Sequence, residues 1–161
     1  MKLPSTSNPN KGFTLIEVLI AIGIIFFLGG MGLFLSMDFY RTFSFRSDNN
    51  TVVSILHKAR MQALSNIDLN DAGGKDHGVH YDAVTHQMTI FEGSSYGSEP
   101  AQDEDIRIDS NLIITWPGDI VFKQLTGCLN TNCDSPTQVI TVVNNGQTSN
   151  ISINNEGSID Y

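Results

Sequence analysis

The stretch Lys11-Gly-Phe-Thr-Leu-Ile-Glu-Val-Leu-Ile-Ala-Ile-Gly-Ile-Ile-Phe-Phe-Leu-Gly-Gly30 decides how the rest of the chain is read. It is apolar almost throughout, yet Glu17 stands inside it. From Val18 to Met37, 20 residues carry no charge, which is the length a helix needs to cross a bilayer. An ionisable side chain near such a helix costs up to about 2.5–3.5 kcal/mol and calls for a functional reason. No Lys, Arg or His lies between Phe13 and Phe39, so a cation for Glu17 must come from elsewhere.

Cutting the chain after Gly12 would supply one. The new α-amine on Phe13 would lie about one helical turn from Glu17, at about 1.5 Å per residue. In a bundle, each Glu17 would meet the amine of a neighbouring copy. That favours one axial offset, because other offsets leave a charge unpaired in hydrocarbon. An ordinary uncleaved signal anchor is the competing reading of the same hydropathy. Lys2 and Lys11 precede the run and no acidic residue does, which keeps the N-terminus cytoplasmic. A cleaved secretory signal would be shorter and end in a small-x-small site, which GLFLSMDFY lacks.

The six residues Gly12-Phe13-Thr14-Leu15-Ile16-Glu17 resemble the class III signal of type IV pilins and type II secretion pseudopilins. The resemblance implies cleavage between Gly12 and Phe13 by a prepilin peptidase, N-methylation of Phe13, and docking of the subunit into a filament through Glu17. It implies as partners other pilins, the prepilin peptidase/N-methyltransferase and an inner-membrane assembly platform. The tip-most K-type pseudopilins typically lack the glutamate, so Glu17 speaks against that role.

The remainder of the chain bounds what it can do. With 161 residues there is room for one domain plus an attached segment. Nine Lys+Arg against 17 Asp+Glu leave a net charge of −8, which argues against direct nucleic-acid binding and against a polybasic membrane patch. The division expected is a leader at 1–12, a transmembrane or filament-core helix at 13–37, its continuation at 38–66 and a soluble β-rich head at 67–161.

In TVVSILHKARMQALSN, Val52, Ile55, Leu56, Ala59 and Ala63 fall on one helical stripe, with His57, Lys58, Arg60 and Gln62 largely off it. Met61 belongs to neither side. This predicts one helix from Phe13 to about Asn66. Gly29, Gly30 and Gly32 mark a weak point in it, either for close helix packing or for local unwinding. Beyond the polar stretch DLNDAGGKD, strands are predicted at 77–83, 86–93, 106–116, 120–125, 137–143 and 149–161, with Asn144-Asn145-Gly146 as a hairpin turn. The fold class is α+β: a long N-terminal helix, transmembrane in its first half, packed by its second half on a mostly antiparallel sheet.

HKARMQAL, HGVHYD and INNEGSI follow, in order, segments of H-type minor pseudopilins and FimT-like minor pilins, and that similarity implies a minor subunit.

Cys128 and Cys133 flank Leu-Asn-Thr-Asn in a turn-rich segment, and an extracytoplasmic head allows a disulfide there. Metal binding is the rival reading: zinc sites prefer two to four intervening residues and need two further ligands nearby. His77, His80 and His86 with Asp76 and Asp82 do not converge as metal ligands, since His77 and His80 face opposite sides of a strand; they read as surface histidines. Asp68, Asn70 and Asp71 before two glycines hint at calcium but fail the EF-hand spacing. Asp103-Glu104-Asp105 reads as a solvated loop. No nucleophile elbow, P-loop, HExxH or dinucleotide fingerprint occurs, so neither catalysis nor a cofactor is expected. Two functions compete: a structural pilin-type subunit, placed in the inner membrane with its head outside the cytoplasm and then in a pilus or pseudopilus, or an uncleaved, signal-anchored binding module.

Overall fold

The computed structural model describes residues 12–65, 74–98 and 103–161. Helix α1, Leu15–Leu64, runs unbroken for 50 residues, including Gly29, Gly30 and Gly32. The chain divides into two compact units between Tyr40 and Arg41. In the first, the helix is apolar on all sides and none of its Leu15–Leu33 span is buried.

In the second unit the same helix is amphipathic. Val52, Ile55, Leu56, Ala59 and Ala63 are buried, and Val53 widens the stripe. The head has eight strands: β1 His77–Asp82, β2 Gln87–Glu92, β3 Glu104–Arg107, β4 Ile113–Thr115, β5 Ile120–Phe122, β6 Gln138–Asn144, β7 Gln147–Ile153 and β8 Ile159–Asp160; all but β3 share one hydrophobic cluster with the helix, and Ile106 of β3 packs against it. The strands form two four-stranded sheets, ordered β3-β2-β1-β5 and β4-β6-β7-β8, with every pairing antiparallel.

Division into two sheets corrects the strand expected at 106–116. Its first part, β3, pairs with β2, while its second part, β4, pairs with β6 in the other sheet. Asp109 causes the break. Its carboxylate accepts hydrogen bonds from the Asn111 amide and side chain, both at 2.9 Å, which turns the chain between two apolar runs. The acidic run at 103–105 is not a loop either: Glu104 and Asp105 belong to edge strand β3, where Glu104 pairs with Lys58 of α1 and Asp105 accepts from Thr89 Oγ1 at 2.8 Å. Inward and outward positions carry like-charged neighbours at such an edge without burying them.

Alternation explains the β1–β2 hairpin. Val79 pairs with Ile90 and Tyr81 with Met88 on the core face. His77 and Glu92 pair on that same face at the far end, with 2% and 1% exposure, so His77 is not a surface histidine. Lys75 Nζ lies 3.3 Å from Glu92 Oε1 and offsets its charge. On the opposite face Gly78 pairs with Phe91, and a Cβ at Gly78 would lie 2.3 Å from the Phe91 ring. Glycine is therefore required there by close approach of the ring.

The C-terminal end of α1 is tied down by two turns. Leu125 donates its amide to the Ala63 carbonyl at 2.9 Å, and Arg60 donates to the Glu156 carbonyl at 3.2 Å. Asn154 closes the β7–β8 turn by accepting from the Ser158 amide at 2.7 Å. Gly157, at φ 75°, sits against Gly127, whose carbonyl oxygen would be 1.9 Å from an added Cβ. In the β6–β7 turn, Asn145 and Gly146 have φ of 50° and 80°, the left-handed pair that a two-residue hairpin needs.

Candidate processing and assembly site

Gly12, Phe13 and Thr14 precede the helix in irregular conformation and are exposed, Phe13 by 82%. The Gly12–Phe13 bond therefore lies outside the helix and is exposed. Thr14 caps the helix: its Oγ1 accepts from the Glu17 amide at 3.3 Å, and its carbonyl accepts from the Val18 amide at 3.2 Å. Thr-Leu-Ile-Glu has the spacing of a capping box, a signal present in the sequence that the charge argument alone overlooks. Capping places Glu17 in the first turn, where the helix dipole favours an anion.

Glu17 is the one charged residue of the Leu15–Leu33 span, whose mean hydropathy is 2.3. Around it Leu15, Ile16, Leu19 and Ile20 are more than half exposed. A surface of this length and composition needs lipid or protein to cover it. The first helical turn thus combines an accessible peptide bond, a capped start and a lone carboxylate against apolar surface.

Residues 7–33 match the prokaryotic N-terminal methylation motif. No curated protein and no solved structure matches the chain. The motif supports a prepilin-type start of the kind found in type IV pilins and pseudopilins, and the apolar helix that carries it is long and apolar enough to cross a membrane. A class III signal of this kind implies processing by a prepilin peptidase and assembly with other pilins.

The head residues singled out in the sequence stand apart from this site. Cys128 and Cys133 form a disulfide that closes the loop between β5 and β6. Cys128 is buried, and its carbonyl accepts from the Lys123 amide at 2.8 Å, so the loop is joined to β5. Asp76 accepts from Lys123 Nζ at 2.7 Å and from the Gln124 amide at 2.9 Å, which commits it to structure. Asp82 accepts from the Val84 amide at 2.8 Å and from Thr85 Oγ1 at 2.9 Å; these bonds hold its carboxyl below the usual range. His86, at φ 52°, occupies the β1–β2 turn. His80 donates through Nδ1 to Asp119 Oδ1 at 2.7 Å. Among the described residues no group of three or more His, Cys, Asp or Glu converges as metal ligands. Asp68, Asn70 and Asp71 lie outside the described residues.

Two further carboxylates of the head are perturbed upward. Burial raises the Asp48 pKa, with Asp109 adding repulsion and a hydrogen bond from Asn144 opposing it. Burial also raises Asp103, with Asp105 adding to the effect.

Proposed function

We propose that the chain is a structural minor subunit of a type II secretion pseudopilus or a type IV pilus, without catalysis of its own. The observation that carries this is the first helical turn: an exposed Gly12–Phe13 bond outside the helix and a single carboxylate, Glu17, inside an uncovered apolar span. Prepilin peptidase cleaves after Gly12, and the amine of Phe13 is methylated. Phe13 to Met37 then enters the filament core, with the head outside the cytoplasm.

In this reading Glu17 has two physical roles. It sits at the third position of a capped helix, and it pairs with the Phe13 amine of a neighbouring subunit. Capping is local and contributes about 0.5–2 kcal/mol; the intersubunit pair also excludes wrong offsets, because an unpaired charge in hydrocarbon costs more. Glu17→Ala should therefore be inserted and processed but incorporated poorly into filaments. Normal incorporation of that variant would sink the docking role. Intact-mass measurement of the purified protein tests processing. Loss of residues 1–12 with gain of one methyl group is expected, and an unshortened chain would instead favour the signal-anchored binding module.

A further inference from the structure

A pocket of about 320 Å³ opens where the two sheets of the head meet, between β1 of one and β4 of the other. Its walls are His80, Tyr81, Ile114, Trp116, Gly118 and Asp119. The volume is at the small end of the range for ligand sites, enough for one ring-sized group.

Three features set its chemistry. Tyr81 and Trp116 form an aromatic corner, with ring centroids 6.0 Å apart and planes tilted by 49°. Opposite them, His80 is held flat under Tyr96 at 4.0 Å and 3° and bonded through Nδ1 to Asp119 at 2.7 Å. Asp119 arrives there because Pro117 fixes one backbone angle and Gly118, at φ 120°, takes the conformation that turns the chain back. Its carboxylate accepts from His80 and, through Oδ2, from the Tyr96 amide at 3.4 Å. A carboxylate offers about four acceptor positions, so about two remain for a ligand. Trp116 Nε1–H has no partner among the described residues, and an unmade bond at a buried donor costs about 1–3 kcal/mol.

We infer that this pocket binds a neutral pyranose ring of a carbohydrate. The partly exposed Trp116 ring, backed by the buried Tyr81, suits the C–H face of a sugar. The free positions on Asp119 accept from adjacent hydroxyls, and a hydroxyl oxygen can accept from Trp116 Nε1–H after a small side-chain adjustment of the kind common on binding. A cation stacked on the same rings would satisfy Asp119 but leave the indole donor unpaired. Anionic sugars are disfavoured by Asp119 and by the net charge of −8. Every group involved belongs to the head, so the inference does not depend on filament assembly.

Trp116 is the only tryptophan, so its fluorescence reads the pocket directly. The full chain in detergent is titrated separately with methyl β-D-glucopyranoside, methyl β-D-galactopyranoside, N-acetylglucosamine, glucuronic acid and tetramethylammonium. A saturable change is expected with at least one neutral pyranose, with half-saturation on the order of 1 mM, as suits a single small ring. Asp119→Asn, at an exposed position where circular dichroism can verify the fold, should weaken that response by about tenfold. His80→Gln, which removes the ring that holds Asp119, should weaken it as well. The inference is overturned by no saturable change with any neutral pyranose up to about 100 mM. It is equally overturned if only tetramethylammonium saturates, if glucuronic acid binds as well as the neutral sugars, or if both folded variants respond like the parent.

Discussion

Between Leu15 and Leu33, helix α1 buries none of its side chains within the protein. Between Val52 and Ala63 it buries six, from both of the sheets that flank it in the core cluster. Both stretches are helical and both are rich in aliphatic residues, but the first carries one charge, Glu17, and the second carries His57, Lys58 and Arg60. Periodicity separates them further. In the first stretch apolar residues surround the helix, and one protein face cannot cover all sides at once. In the second they return every three or four residues, leaving His57 and Lys58 in water, and a single face suffices. The first stretch therefore needs an environment that the chain does not carry, whereas the second brings its own.

Leu56→Ala should give the largest effect on this contrast. Leu56 is fully buried, and its truncation should destabilise the head by about 2–5 kcal/mol in thermal or urea unfolding. An equal loss from Ile24→Ala, in the exposed stretch, would break the distinction, because a change of less than about 0.5 kcal/mol in head unfolding is expected there. Replacing both Cys128 and Cys133 by Ser should cost the head about 2 kcal/mol by the chain-entropy argument for a short loop.

The smallest effect sharpens the comparison through pH. Asp48 lies just beyond the unit boundary, and burial followed by Asp109 raises its pKa in the folded head. A carboxyl raised on folding favours the protonated state, so its contribution to stability is fully present below the unfolded pKa and is lost as pH rises through the folded one. Asp48→Asn should then raise the melting temperature slightly at neutral pH and flatten the profile just above the ordinary carboxylate range. An unchanged profile would show that Asp48 is relieved by solvent in the folded head.

The residues of α1 were legible because a helix writes its partner into its own spacing. So was the motif at 7–33, whose order beside an apolar run carries meaning without any distant residue. Strand existence was also readable along most of the head, as was the Asn-Gly turn. The segment 106–116 misled because its apolar residues continue on both sides of Asp109, and only the pairing partners show that they serve different sheets. His77 misled for a related reason: alternation tells which residues share a face, but not how far along the hairpin that face stays covered.

By itself, the sequence determined the local features: an apolar helix with one carboxylate, a processing-type motif before it, an amphipathic continuation and a β-rich head. Each follows from periods of 3.6 or 2, or from charges a few residues apart. Tertiary structure alone decided the division into two sheets, the burial of His77 against Glu92, and the pocket that joins His80 to Trp116 and Asp119. Those depend on contacts between residues 14 or more positions apart, whose proximity no local preference encodes. They exist because two antiparallel sheets bury their apolar faces against one helix and so bring their edges together.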